Sequence, residues 1–226
     1  MLFSHFNEAL PHWFNSNGGV VGFDAEEFQS IRQLSSTVEG WLSEEQGIAL
    51  YQLARCSISG EVLEIGSFCG KSTLFLALGC KQSGTFVHAV DPHKPISEGG
   101  KEQYAPDLSP RSQGTLKDFQ YNLKRSGLES FVNLMVCTSE EARYQLGSVT
   151  LKLLFVDGSH DYLDVVLDYY LWHNQVALGG YLVFHDSNFE GVNLMLQRHL
   201  DRQGYSLQGV IGQGAWAMTI WQQREV

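Results

Sequence analysis

No stretch of this chain approaches the ~18 consecutive apolar residues that a membrane-spanning helix requires, so a membrane partner is not expected. The N-terminus, MLFSHFNEALPHW, lacks the charged start and apolar run of a secretory signal, and the expected location is the cytoplasm. Cysteine is scarce. The four present, Cys56, Cys69, Cys80 and Cys137, form no C-x-x-C pair, which removes a structural zinc site and a disulfide framework from consideration and leaves buried free thiols. Basic residues are outnumbered, with 15 Lys and Arg against 25 Asp and Glu and a formal net charge of -10. Contacts to nucleic acid or to a membrane surface are dominated by clustered Lys and Arg, so neither partner fits. The one basic cluster, between Lys117 and Arg125, reads as a solvated helix face.

What is present is enough apolar material, 43% of 226 residues, to build the core of one domain. Apolar, β-rich runs alternate with longer helical patterns, the signature of βαβ units and a mostly parallel sheet. Five runs read as strands: residues 62–65, 85–90, 132–136, 151–156 and 181–184. Each is nearly continuous in apolar residues, as strands covered by helices on both faces are. The spacing predicts amphipathic helices over 72–81, 113–126, 139–146, 162–176 and 189–203. Gly127, Gly147 and the pair Gly179 and Gly180 are placed to end three of them. Two further β-like runs, 206–211 and 215–221, are separated by Gly212, Gln213 and Gly214. That link is short enough for a hairpin, so the sheet is expected to end antiparallel.

Residues 1–42 are rich in aromatics, among them Phe3, Phe6, Trp13, Phe14, Phe23, Phe28 and Trp41, and lack a clean period. A helical cap or oligomer contact is expected there, with the main domain over 43–226. That domain opens on Ser43 followed three residues on by Gln46, a capping box ahead of a helix. Residues 93–112 hold three of the five prolines and no apolar period. They read as a long surface loop of the kind that serves as a lid.

In an open parallel sheet, ligands bind beyond the carboxyl ends of the strands. Glu64 lies within the first strand, and Asp91, Asp157 and Asp186 follow the second, fourth and fifth. Ionised carboxylates are costly to bury unpaired, so their recurrence at one edge points to a polar ligand or a cation. The first strand runs into Gly66-Ser67-Phe68-Cys69-Gly70-Lys71-Ser72, a glycine turn opening a helix, and three nucleotide readings compete for it. A phosphate-cradling P-loop needs four residues between its first Gly and the Gly-Lys-Ser, and Gly66 and Gly70 enclose three. A dinucleotide fingerprint needs glycine where this chain has Phe68 and Lys71, which disfavours an NAD-dependent oxidoreductase. S-adenosylmethionine (SAM) carries no phosphate and asks only for close backbone passage, which Gly66 and Gly70 can give. Its sulfonium also favours a nearby carboxylate such as Glu64. Asp91 can accept both ribose hydroxyls, as the same position does for NAD; as a turn former before Pro92 it also has a purely structural reading.

Asp157 and Asp186 end strands that, as neighbours, would lie ~4.8 Å apart. Two unpaired carboxylates ~5 Å apart repel by ~3 kcal/mol at an effective dielectric of ~20. A divalent cation, a shared proton, or a Lys or Arg is therefore expected between them. Oxygen ligands suit Mg²⁺, whereas His160 and His185 admit a softer metal. A lone His beside a turn is more often structural, but two His and two Asp converging at the ligand edge make a functional role an equal reading.

The segments VEGWLSEEQGIALYQLA, VLEIGSFCGKSTLFLA, HAVDPH and LLFVDGSHDYLDVVLDYYLWHNQVALGGYLVFHDS, with the final hairpin, resemble the class I SAM-dependent methyltransferases, most closely the methyltransferase 24 type. The resemblance covers roughly residues 38–221. That type is related to catechol- and caffeoyl-CoA-type O-methyltransferases, macrocin-type sugar O-methyltransferases and the cephalosporin hydroxylase group. It implies a doubly wound α/β fold with a seven-stranded, mostly parallel Rossmann-like sheet of order 3-2-1-4-5-7-6, the last strand antiparallel. It implies SAM bound by Glu64, Ile65, Gly66, Ser67, Phe68, Gly70, Lys71 and Ser72, ribose held by Asp91 beside Pro92, adenine near Thr138, Ser139 and Glu140, and Asp157 completing the set. Phe68 stands where many SAM turns have a middle Gly. In catechol-type relatives the acid after the fourth strand and an Asp-Asn pair after the fifth bind Mg²⁺, and a Lys three residues past the former acid is the base. The matching positions here are Asp157, Asp186 and Ser187, with His160 in place of Lys. The implied activity is O-methylation of a small-molecule acceptor, assisted by Mg²⁺ or another divalent cation, with Asp157 and His160 catalytic. The alternative is a hydroxylase-like or non-catalytic partner protein in a biosynthetic pathway. A homo-oligomer formed through the N-terminal segment is a further expectation.

Overall fold

The apolar runs form the strands β1 (Glu61–Ile65), β2 (Val87–Val90), β3 (Val132–Met135), β4 (Leu151–Val156), β5 (Val176–Phe184), β6 (Tyr205–Ile211) and β7 (Met218–Gln223). They pair in one sheet of order β3-β2-β1-β4-β5-β7-β6. Strands β1 to β5 run parallel, and β7 is antiparallel to both β5 and β6. The structure, a computed structural model, describes residues 25–94 and 113–224. Residues 1–24 of the aromatic N-terminal stretch and 95–112 of the expected lid lie outside the described residues.

The helices are α1 (Ala25–Ser35), α2 (Glu44–Ala54), α3 (Lys71–Ser83), α4 (Leu116–Ser126), α5 (Ser139–Leu146), α6 (Tyr162–Trp172) and α7 (Glu190–Arg198). Successive residues of β1 feed opposite layers. Val62 joins one core with Phe28, Leu50, Phe75 and Phe119 from α1 to α4, whereas Leu63 and Ile65 join a second with Ala142, Tyr169 and Met195 from α5 to α7. Burial on both faces is why the central strands β1, β2 and β4 are largely apolar without alternation. At the start of α2 the Ser43 side chain accepts from the Gln46 N–H, and Gln46 Oε1 accepts from the Ser43 N–H at 2.8 Å. Thr138 and Glu141 form the same reciprocal cap at α5.

Several boundaries differ from those the sequence predicts, and two of the differences change how the elements connect. Helix α6 stops at Trp172, and a 3-10 turn, His173–Gln175, leads directly into β5. Gly179 and Gly180, expected to end that helix, instead lie inside the strand. The β4–β5 register shifts between Leu151 and Leu153, Gly179 adopts a φ of 76°, and a Cβ on Gly180 would come within 2.7 Å of the Ala177 carbonyl oxygen. A β-bulge, rather than a helix end, requires this glycine pair. Strands β6 and β7 are joined by residues 212–217, not by three residues, because the short turn Gly214–Trp216 is inserted between them. Among the described residues no helix is long and apolar enough to cross a membrane, and none of the four cysteines is in a disulfide.

Candidate functional site

A cavity of about 810 Å³ opens at the carboxyl edge of the parallel strands, within the ~300–1,000 Å³ typical of small-molecule sites. Ile65, Gly66, Ser67, Phe68, Lys71 and Ser72 line it after β1, and Asp91 and Pro92 after β2. Thr138, Ser139 and Glu140 line it after β3, Asp157 and His160 after β4, and His185 and Asp186 after β5.

The turn after β1 is stitched to its neighbours by backbone. Gly66 has a φ of 89°, its N–H donates to the Val90 carbonyl at 2.9 Å, and the Asp157 N–H donates to the Ile65 carbonyl at 2.8 Å. A Cβ at position 66 would lie 2.2 Å from the Asp157 carbonyl oxygen; only glycine lets the β1 turn pass so close to the end of β4. Phe68, where many SAM turns carry Gly, takes the glycine-like φ of 45°, and its N–H donates to Asp91 Oδ2 at 2.8 Å. The N–H of His93, with a φ of 47°, donates to Asp91 Oδ1 at 2.6 Å. Asp186, with a φ of 52°, is the remaining non-glycine residue in the left-handed region among those described. Each such residue costs about 1–3 kcal/mol, and all three sit at this one edge.

Three residues predicted for the site are placed elsewhere. Glu64 is fully buried beneath the turn, not in the cavity, its carboxyl accepting from Ser72 Oγ at 2.5 Å and Thr73 Oγ1 at 2.6 Å. Burial pushes its pKa up to about 8, against the opposing hydrogen bonds from Ser72 and Thr73. It ties the first turn of α3 to β1 and does not line the cavity. Gly70 is the N-cap of α3, with a φ of 89°, set against the ring of Phe119 and not against the cavity. Ser187 is buried, its Oγ donating to the Phe184 carbonyl at 2.9 Å and lying 2.9 Å from Thr219 Oγ1.

His185 takes the third place beside the two aspartates. Its Nδ1 lies 3.1 Å from Asp157 Oδ1 and 3.1 Å from Asp186 Oδ1, and ligand atoms of these three residues all fall within 4.8 Å of one another. His160 Nε2 approaches the other oxygen of Asp186, Oδ2, at 2.7 Å. Burial alone would depress the His185 pKa, but Asp157 and Asp186 outweigh it and raise the imidazole to about 10. Burial raises the Asp157 carboxyl, with His185 opposing. Burial acts the same way on Asp186, but hydrogen bonds from His160 and His185 prevail and hold it below the usual range. His185 Nδ1 and Asp186 Oδ1 nonetheless lack a well-directed hydrogen bond. These converging, poorly satisfied atoms fit a shared proton or one small cation, with an imidazole nitrogen in the donor set.

Several residues of the site carry no sequence signal. His93 reaches Asp91 through its backbone. Trp41, between α1 and α2, and Trp216, between β6 and β7, both line the cavity, with rings nearly parallel at 6° and centroids 6.4 Å apart. Phe189 stacks on His160 at 4.3 Å. Aromatic composition alone does not distinguish these rings from the core.

Solved structures share the fold. A cofactor-bound crystal structure of Rv0187 from MTB superposes with a TM-score of 0.63 at 21% identity, over 91% of this chain and 93% of that one. The O-methyltransferase from Bacillus cereus in complex with SAH matches at 0.62 and 15% identity, over 90% and 93% of the two chains. TomG from Streptomyces achromogenes, an O-methyltransferase of tomaymycin synthesis in complex with SAM, matches at 0.62 and 16%, over 91% and 92%. The sequence profile of the methyltransferase 24 family, described as a methyltransferase domain, matches residues 63–187. That segment is more than half of the chain and runs from β1 to the end of the acidic and histidine cluster, so this protein belongs to the methyltransferase 24 family.

Proposed function

We propose that this protein is a SAM-dependent O-methyltransferase acting on a hydroxyl of a small molecule. The observation that carries this reading is one continuous cavity, running from the Gly66 turn, Asp91 and the Thr138–Glu140 segment to Asp157, His160, His185 and Asp186. SAM supplies an electrophilic methyl group when bound. The close approach permitted by Gly66 gives its amino acid portion a backbone surface. With one N–H donor on each carboxylate oxygen, Asp91 is fixed in orientation yet keeps lone pairs for ribose hydroxyls. Thr138, Ser139 and Glu140, at the capped start of α5, flank the place for adenine.

At the other end, Asp186 accepts from His160 Nε2 and orients the ring. Nδ1, buried and without a hydrogen-bond partner among the described residues, is the ring nitrogen left to take the proton as general base once an acceptor hydroxyl reaches it. Asp157, His185 and Asp186 are the residues that would hold a divalent cation, which would lower the pKa of the acceptor hydroxyl. Calorimetry with S-adenosylhomocysteine, followed by methyl transfer from labelled SAM to a panel of phenols and sugars with and without chelator, tests the reading. Saturable binding and transfer are expected; NADH binding in its place, or no transfer to any hydroxyl, overturns it.

A further inference from the structure

A chain of aromatic rings drawn from four separate segments runs along the cavity, and three of them, Trp41, Phe68 and Trp216, line it. Phe68, on the β1 turn, lies 5.6 Å from Trp41, and Trp41 stacks on Trp216. Trp216 meets Phe189 edge-on at 6.0 Å, and Phe189 stacks on His160. The rings thus lead from the turn assigned to SAM to the residue assigned as base. Side-chain hydrogen bonds tie down the backbone at and beside both indoles. Lys71 Nζ donates to the Gly40 carbonyl at 2.9 Å beside Trp41. On the other side, the buried Gln46 side chain donates to the Trp216 carbonyl at 2.6 Å, and Asn188 Nδ2 donates to the Gly214 carbonyl at 2.6 Å. Held in this way, Trp216 is still 41% exposed. An indole packed between Trp41 and Phe189 that still lines the cavity is a surface for another flat apolar group.

Charge narrows the choice. Glu39, Asp91, Glu140, Asp157, Asp164, Asp168 and Asp186 line the cavity against Lys71, Lys94 and the raised imidazole of His185; Lys71 is already engaged by Gly40, and His185 by Asp157 and Asp186. An acceptor carrying phosphate or carboxylate groups would meet a predominantly negative wall.

We infer that the acceptor is an uncharged aromatic alcohol, its ring laid against Trp216 and Trp41 and its hydroxyl directed at His160. The inference rests on the methyltransferase reading and adds to it the substrate class. Binding of three probes to the full chain loaded with S-adenosylhomocysteine tests it by calorimetry: 2,3-dihydroxynaphthalene, the anionic 3-hydroxy-2-naphthoate, and methyl glucopyranoside. The diol is expected to saturate, the naphthoate to bind at least about tenfold more weakly, and the glycoside not to bind measurably. Trp216→Ala is expected to weaken the diol at least about tenfold and Trp216→Phe to restore most of the loss. S-adenosylhomocysteine affinity should stay within about twofold in both variants, which shows that they are folded. Glycoside or naphthoate binding as tight as the diol, or diol binding indifferent to Trp216→Ala, overturns the acceptor class and leaves the methyltransferase reading standing. Failure of S-adenosylhomocysteine to bind the parent chain overturns both.

Discussion

The N–H of Phe68 donates to Asp91 Oδ2 at 2.8 Å, across 23 residues of sequence. A side chain at the end of β2 thereby fixes the shape of the turn after β1. Asp91→Asn keeps the size but replaces one acceptor with an NH₂ group, which would face a backbone N–H. Affinity for S-adenosylhomocysteine is expected to fall at least about tenfold, as for loss of a hydrogen bond to a charged group. Calorimetry gives the comparison, and an unchanged Kd would remove Asp91 from the cofactor site.

Gly66→Ala places a methyl group 2.2 Å from the Asp157 carbonyl oxygen, where no flexible side chain can give way. A loss of about 2 kcal/mol or more is expected, together with weaker cofactor binding. Urea denaturation measures the first and calorimetry the second.

Glu64 gives stability a pH dependence of defined sign. Burial raises its folded-state pKa to about 8, above the ~4.3 of an exposed glutamate, so the folded chain binds the extra proton between those values. The stabilising effect is full below ~4.3 and is lost as pH rises toward about 8. Burial also raises Asp168, to about 6, and it contributes over the lower part of the same window. Melting temperature should therefore fall across this range, and Glu64→Gln, which cannot ionise, should flatten the upper part. An unaltered slope would show that Glu64 does not hold that proton.

Metal response follows from the donor set. With an imidazole nitrogen beside two carboxylates, Mn²⁺ or Zn²⁺ added after chelator treatment is expected to raise the melting temperature more than Mg²⁺ does. His185→Ala should remove that preference. No shift with any of the three ions would leave the cluster as a proton-sharing network.

His160→Ala is expected to lower methyl transfer by about 10²–10⁴-fold. Turnover is the measurement, and a variant as active as the parent would rule out His160 as the base.

Much of this architecture is legible in the chain because burial on both faces leaves its mark on the central parallel strands: the run Leu151–Val156 is buried throughout and reads so. The Gly66 turn and Asp91 are legible for a related reason, since ligands of this fold collect at strand ends. Glu64 is not, because its partners Ser72 and Thr73 come from the helix it anchors, and a carboxyl facing hydroxyls looks in sequence like one facing a ligand. Gly179 and Gly180 follow a helical pattern, and glycine ends helices and bulges strands alike. Ser187 and His185 flank Asp186, and which of the two turns toward Asp157 depends on a backbone angle that sequence does not display. Trp41 and Trp216 meet only after the whole sheet is assembled.

The left-handed backbone at Phe68, His93 and Asp186 sets heat tolerance against catalysis. Glycine at any of the three would relieve the local conformational cost. Yet it would erase an aromatic contact, a buried imidazole or a carboxylate of the reacting centre. Directed evolution screened for thermal survival alone should drift toward glycine at these positions and return robust but impaired catalysts.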